Sequence, residues 1–590
     1  MTEFRLTARQ EQAVASQAGA LTVVAGAGTG KTEVVARRLE RLLAQSPLEE
    51  FRVLAVSYTV RAADGLKDRL ASRLGGLHRR VDADTIHGFA LGVVRRHGTL
   101  IGLPLEPEIL SRDEDRRELL SAWLRRGGYS QPQDPAAAFR ELDLDRAREN
   151  ETRRVDIWRR VLAEAGALDY QAMLERATEL LSLRSVRRIY ASLYKHVIVD
   201  EAQNLTRSQY RLLTSLIGSP GKSHIATVLV GDERQSIVGF AGADHTLMAL
   251  FEREYGAERI ELDTNFRSAQ RIDRVAQRVA AALDLPLDAD GTSLAARGEL
   301  RLEEFESEAD EGAGVASWVE KQLSDGLPTD VVSPDESTSV GCEQIAVLGR
   351  SAAALIPTRE ALDKLDIAHA SASTPDAWVT SPPAQAIVEL IGFMSAPDHV
   401  STRRRLSRLC GKDGDGSWTE LSELFHESAD RDMAELAQLG TVATPEELIT
   451  SLCELDISDP DWLDDVQQLH DSWSSFIDRV PAGSQSFAEM KHHIARCQRG
   501  DPLDPGVRLL TVHKAQGHEF MSVAVVACNE GQFPDFRADT PEAEEAERRT
   551  FYVAVSRPFR SLLVSRARTR RTRYGPRPTS PSRFLEWVRD

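Results

Sequence analysis

Cysteine is scarce in this chain. Its five residues, Cys342, Cys410, Cys453, Cys497 and Cys528, lie far apart and form no CxxC pair. That spacing excludes a disulfide framework, an iron–sulfur cluster and a zinc ribbon. Long apolar runs are also missing. No window approaches the ~18 uninterrupted apolar residues of a membrane span, and Met1-Thr2-Glu3-Phe4-Arg5 carries no signal-peptide pattern. Together these absences point to a cytoplasmic protein with no membrane partner. Positive charge is in deficit as well, with a net charge of −18. A whole-chain sum hides segregation, however. No acidic residue lies between Glu547 and Glu586, where Arg566, Arg568, Arg570, Arg571, Arg573 and Arg577 crowd together. The acid gathers elsewhere, from Glu303 to Glu311 and from Asp456 to Asp465. Two readings of the arginine run stand open: a basic groove on an acidic body, or a solvated, partly disordered tail.

What is present is ordinary in amount and specific in arrangement. Hydrophobic residues make up 42% and charged residues 28% of 590 residues, as in a soluble globular protein. That length suggests about four domain-sized units. The most informative stretch is Ala25-Gly26-Ala27-Gly28-Thr29-Gly30-Lys31-Thr32, directly after apolar Leu21 to Val24. It meets the phosphate-loop pattern GxxxxGK[ST] except at its first position, where Ala25 replaces glycine. Glycines let backbone N–H groups close around phosphates, and the following helix N-terminus adds positive potential. Lys31 is the residue to reach the β- and γ-phosphates of ATP, and the Thr32 hydroxyl the one to ligate Mg²⁺. A glycine-rich turn with a chance lysine is the bland alternative. The strand before it and the helical pattern after it (Val34, Val35, Leu39, Leu42) argue against that.

A second apolar run, Val197 to Val199, ends in Asp200-Glu201. After a phosphate loop, such a pair suits nucleotide hydrolysis, with Asp200 in the Mg²⁺ shell and Glu201 orienting the attacking water. A third run, Val228 to Val230, delivers Gly231-Asp232-Glu233-Arg234-Gln235, where Gln235 is placed to sense the γ-phosphate.

With these residues the chain resembles, from end to end, the superfamily 1A helicases of the UvrD/Rep/PcrA type. Leu6-Thr7 with Gln10 resembles the family's adenine-reading motif; Tyr58-Thr59-Val60-Arg61-Ala62-Ala63 and Thr85-Ile86-His87-Gly88-Phe89-Ala90 resemble its early DNA-contacting motifs. Leu168-Asp169-Tyr170 resembles a short motif ahead of the Asp-Glu box, and Asp263-Thr264-Asn265-Phe266-Arg267-Ser268 resembles motif IV. Thr511-Val512-His513-Lys514-Ala515-Gln516-Gly517 with Glu519 resembles motif V. Glu547-Arg548-Arg549 through Arg557 resembles motif VI.

The resemblance implies an ATP-driven translocase on single-stranded and junction DNA, moving 3′ to 5′ and unwinding duplexes in repair or recombination. It implies adenine contacts from Gln10 and Phe266, a nucleotide contact from Glu519, and arginine fingers at Arg267 and Arg557. DNA contacts are expected from Tyr58, Thr59, His87, Phe89, Phe240, Thr511 and His513, because aromatic stacking is sequence-tolerant. The implied fold is α/β: two RecA-like motor lobes with parallel sheets, at about 1–100 with 190–265 and at 266–378 with 504–590. Mainly helical insertions interrupt them at 101–189 and 379–503. Arg112 to Arg126, Ala384 to Met394, Trp418 to Phe425 and Pro445 to Leu455 read as helical there. The second insertion is shorter than the family norm, and little room follows motif VI for a nuclease module. Ala241, Val60, Gln516 and Glu33 depart from the family pattern, which bears on coupling and DNA affinity rather than turnover. An alternative therefore stands: a DNA-stimulated ATPase subunit serving a partner nuclease or repair factor, including in phage defence, docked through 379–503.

Overall fold

The apolar runs of the sequence form strands buried on both faces, as helix-covered parallel sheets require. The computed structural model describes residues 6–46, 51–105, 107–110, 135–221, 225–283, 296–334, 336–371, 382–395, 400–411, 421–426, 442–455, 460–477, 485–497, 506–572 and 575–589, with isolated positions between them. Most of the Arg112–Arg126 stretch and Trp418 lie outside the described residues.

The first sheet comprises β1 (Ala20–Ala25), β2 (Arg52–Ser57), β3 (Val81–Thr85), β4 (Tyr194–Val199), β5 (Ala226–Gly231) and β6 (Glu258–Leu262). Their order is β3-β2-β4-β5-β1-β6, and every pairing is parallel. The second comprises β7 (Glu299–Ser307), β8 (Ile345–Gly349), β9 (His369–Ser371), β10 (Val507–Thr511), β11 (Phe520–Val525) and β12 (Pro558–Thr572), in the order β7-β12-β11-β8-β10-β9. These pairings are also parallel, and β13 (Gly575–Pro578) adds an antiparallel edge to β12. The expected fold class holds: two RecA-like α/β lobes, with long helical stretches between their strands.

The helical segments differ in how they are rooted. Residues 135–193 share one apolar core with a face of the first sheet, so Trp158, Leu162 and Met173 pack continuously with Val56, Val197 and Leu229. Helices Pro382–Ser395, Pro445–Glu454, Pro460–Ile477 and Phe487–Cys497 instead enclose a core of their own, around Ile391, Leu448, Leu469 and Met490.

Over Arg566, Arg568 and Arg570 the arginine run is neither a tail nor an open groove. It lies on β12, in parallel register with the acidic strand β7, so that Arg566 stands opposite Glu304. Arg566 pairs with Glu304, Arg568 with Glu304 and Glu306, and buried Arg570 with buried Glu311. The acidic and basic segments, far apart in sequence, neutralise each other across one strand pair.

Asp169 shows how the first insertion is locked. Its carboxylate caps helix Tyr170–Ser182 by accepting from the Ala172 N–H at 2.8 Å. It also accepts from Arg146 Nη1 at 2.6 Å and from Trp158 Nε1 at 2.8 Å. Burial raises its pKa, but Arg146 and Arg116 outweigh that and hold it at about 2. The unfolded value is about 3.9. The carboxylate's contribution, ~2 kcal/mol, is therefore complete above pH ~4 and is lost as pH falls towards 2. Replacing Asp169 with Ala removes the buried partner of Arg146 Nη1 and Trp158 Nε1, leaving Arg146 only Glu175, and should cost about 3 kcal/mol, lowering the urea midpoint read by tryptophan fluorescence. An unchanged midpoint would contradict this account.

Candidate nucleotide and DNA site

The phosphate loop leaves β1 and enters helix Lys31–Gln45 through two left-handed glycines, Gly28 (φ 77°) and Gly30 (φ 82°). Thr29 steadies the turn, its Oγ1 donating to the Gly26 carbonyl at 3.0 Å. Gly30 caps the helix without any side-chain hydrogen bond, so no side-chain oxygen occupies the anion position at the helix start. Ala25 is fully buried at the end of β1, where the missing first glycine has no bearing on the turn itself. Gln10 is buried too. Its Oε1 accepts from Thr7 N at 2.9 Å and its Nε2 donates to the Thr29 carbonyl at 3.0 Å, tying the N-terminal helix to the loop.

β4 ends at the acidic pair. Glu201 adopts a left-handed φ of 53°, an uncommon conformation for a side-chain-bearing residue and one concentrated at functional sites. Its Oε1 lies 3.5 Å from Lys31 Nζ, and its Oε2 accepts from Gln203 Nε2 at 2.6 Å. Burial works to raise the Glu201 pKa, but Lys31, Gln203 and Arg557 outweigh it and the net direction is down. Asp200 moves oppositely: burial, then the neighbouring Glu201 charge, pushes it up to about 6. Two adjacent carboxylates are thereby driven apart: Lys31 keeps Glu201 charged, but at Asp200 it is outweighed by burial and by the Glu201 charge. Thr32, Lys31 and Asp200 form a donor set of hydroxyl, ammonium and carboxylate around an uncapped helix start, which fits a magnesium–nucleotide complex.

β5 delivers a third polar cluster, built on fully buried Asp232. Asp232 accepts from Arg234 Nε at 2.6 Å, Gln235 Nε2 at 2.8 Å and, across the lobes, Tyr552 OH at 3.4 Å. Gln203 Oε1 accepts from its N–H at 3.0 Å. Gln235 Oε1 in turn accepts from Arg557 Nη2 at 2.9 Å. Gln516, where the family has lysine, still bridges the lobes, donating to the Gln235 carbonyl at 3.0 Å. The second arginine, Arg267, pairs with Glu519. The Phe266 N–H donates to the Gly28 carbonyl at 2.9 Å. Lys31, Glu201, Gln235 and Arg557 thus meet in one cleft, with Arg267 and Glu519 at its side. Gln203, Asp232 and Tyr552 stand in or beside the sequence motifs, but the sequence assigns none of them a role. An acid following a strand in a chain with a phosphate loop was the available signal for Asp232; nothing local marks Tyr552.

The expected DNA contacts divide. Phe240 is 69% exposed and meets the His513 ring edge-on, centroids 5.2 Å apart. Burial and nearby Arg350 pull the His513 pKa down to about 4, so it is neutral at physiological pH. Thr511 ends β10 on the approach to His513. Tyr58 and Thr59 are exposed after β2, and Tyr58 borders a crevice shared with Asp200 and Glu201. His87 packs edge-on against Tyr170 at 5.6 Å. Phe89 is a correction. It is buried against Tyr190 and Tyr194, centroids 5.8 and 6.3 Å away, and belongs to the first lobe's core rather than to a stacking surface. Its place on helix Ile86–His97 turns it inward with Ala90 and Val93. Of the other departures, Ala241 is exposed beside Phe240, and Glu33 pairs with Arg37 and Arg73. The Val60 side chain lies outside the described residues.

Two domain families match the chain: the UvrD/REP helicase N-terminal domain over residues 6–256 and the UvrD-like helicase C-terminal domain over 458–569. This chain belongs to the UvrD/Rep/PcrA-like superfamily 1A helicases. Its relatives include DNA helicase II of Haemophilus influenzae, 26% identical over 655 residues, covering 98% of this chain and 86% of that protein. ATP-dependent DNA helicase UvrD1 of Mycobacterium tuberculosis is 26% identical over 672 residues, covering 99% and 85%. ATP-dependent DNA helicase PcrA of Staphylococcus aureus is 23% identical over 638 residues, covering 99% and 86%. Among the described residues no helix is long and apolar enough to cross a membrane.

The loop geometry makes a direct forecast. A Cβ at Gly28 would stand 2.2 Å from Asn265 Oδ1 and 2.8 Å from Arg267 Cβ, on a backbone that disfavours side chains. Gly28→Ala should weaken binding of a fluorescent ATP analogue by about tenfold or more, roughly the 1–3 kcal/mol of such strain. Wild-type affinity in this variant would show that the loop and the motif IV segment are not in contact.

Proposed function

We infer that this protein is an ATP-dependent DNA helicase that moves along single-stranded DNA from 3′ to 5′ and opens duplexes. What carries the inference is the convergence of Lys31 and Glu201 from one lobe with Arg557 from the other, through Gln235. Hydrolysis needs charges from both lobes, so ATP turnover depends on the cleft being closed, and closure is a displacement along DNA. The end-to-end likeness to relatives that are themselves called DNA helicases supports DNA as the track.

In this reading Lys31 and the loop N–H groups hold the β- and γ-phosphates. Bound by Thr32 and Asp200, Mg²⁺ would neutralise charge on the phosphates as it does in other phosphate-loop enzymes. Glu201, kept ionised by Lys31 and aimed by Gln203, orients the attacking water and takes up its proton. Arg557 and Arg267 stabilise the negative charge that grows in the transition state. Both are held by neutral or acidic partners, Gln235 and Glu519, from which phosphate can draw them. Phe240 with His513, flanked by Thr511, gives a stacking surface for bases, and Tyr58, Thr59 and His87 line the first lobe's share of the track. We place the enzyme in the cytoplasm, acting in repair or recombination, with the second helical insertion as the surface for any protein partner.

Steady-state ATPase activity with and without single-stranded DNA, beside unwinding of a 3′-tailed duplex, tests this directly. Strong stimulation with unwinding is expected. Stimulation without unwinding would point instead to a motor that works through a partner docked on residues 379–503. Glu201→Gln should cut turnover by about 10²–10⁴ while leaving ATP affinity intact; retained turnover would remove Glu201 from its role.

A further inference from the structure

The chain carries 91 acidic against 73 basic side chains, so any surface that grips phosphate must be local. Within the densest basic run, on β12, Arg566, Arg568 and Arg570 are spent on the carboxylates of β7 and its following helix. Helix Arg184–Leu193 is different. It buries Val186 and Tyr190 and turns Arg184, Arg187 and Arg188 to solvent. Spacing of three and four residues sets these guanidinium groups on one face, about 5–6 Å apart at Cβ. Among the described residues, none of the three has a carboxylate within ion-pair distance. Arg96, exposed on the last turn of helix Ile86–His97, joins them through a side-chain hydrogen bond to Tyr190.

The position of this patch separates it from the cleft. The helix enters β4 at its N-terminal end, whereas Asp200 and Glu201 follow the C-terminal end. Six strand residues at ~3.3 Å each put the arginines about 20 Å from the acidic pair. Arg95, next to Arg96, pairs with Glu489 of helix Phe487–Cys497 at 2.9 Å, so the patch borders the second insertion. Its composition selects among nucleic acids. Single strands are held by stacking on open aromatic rings, and Tyr190 here is buried. A duplex offers a regular row of phosphates and asks only for cations.

We propose that Arg184, Arg187, Arg188 and Arg96 form a second DNA site, which grips the phosphate backbone of the duplex arm while the lobes hold the single strand. The proposal rests on the helicase reading above. It assigns the arginines to duplex affinity and leaves single-strand-driven hydrolysis to the cleft.

The test is the full chain with Arg184→Gln, Arg187→Gln and Arg188→Gln combined, which preserves helix propensity on an exposed face. Binding to a 3′-tailed duplex and to its single-stranded tail alone is measured between 50 and 200 mM salt, with DNA-stimulated ATPase in parallel. Each lost duplex phosphate contact should flatten the salt slope by about 0.9, so three should spare the variant about 40-fold of the affinity that wild type loses over that range. Tail affinity and tail-stimulated ATPase should stay at wild-type values. An unchanged duplex slope would overturn the proposal. Equal losses on tail and duplex would overturn it too, placing the patch on the single-strand track. Failure of wild type itself to show DNA-stimulated ATPase would instead defeat the helicase reading.

Discussion

Everything in the cleft hangs on one buried carboxylate, Asp232. It has no exposed surface, yet it stays ionised, because Arg234, Lys31 and Gln235 outweigh the cost of burial. Through Gln235 it fixes the amide that receives Arg557, and through Tyr552 it reaches directly the second-lobe helix Pro541–Val555 that Arg557 follows. Removing such a partner from a buried network leaves several groups unsatisfied at once, which is why these networks have few intermediate states. The following residues extend the connection in apolar form: Ile237 and Val238 come from the first lobe but pack into the second lobe's core with Ile272 and Val512. The segment after β5 therefore belongs physically to both lobes. Phe240 stands on this shared segment, only five residues beyond Gln235.

How legible this was in the sequence depends on the range of the interaction concerned. The phosphate loop and Asp200-Glu201 were readable because their chemistry is written in consecutive residues and flanked by apolar strands. Phe89 was misread for the converse reason. A motif gives the residue but not the face of the helix, and the inward face is set by Tyr190 and Tyr194, about a hundred positions later. The arginine run on β12 posed the same difficulty. Its meaning lies in the register with β7, some 260 residues earlier in the chain. Tyr552 had no local signal at all, since its partner Asp232 is 320 positions away.

Electrostatics divides along similar lines. The acidic whole-chain sum said little about DNA, because the structure spends its charges in pairs. Surface ion pairs of this kind contribute little stability individually, but they remove cations from consideration as phosphate ligands. What remains for DNA is determined by which cations are left over, a property of the folded surface rather than of composition.

The two helical insertions are rooted differently, and this bears on how such a chain changes over time. Residues 135–193 complete the core beneath the first sheet, so a deletion there opens a cavity under the strand that carries Asp200. The second insertion closes its core on itself. Helices can be shortened, lengthened or exchanged inside it while the motor beneath keeps its packing. Sequence change in the second insertion is therefore contained within its own core, while change in the first is felt beneath the strand that leads to Asp200.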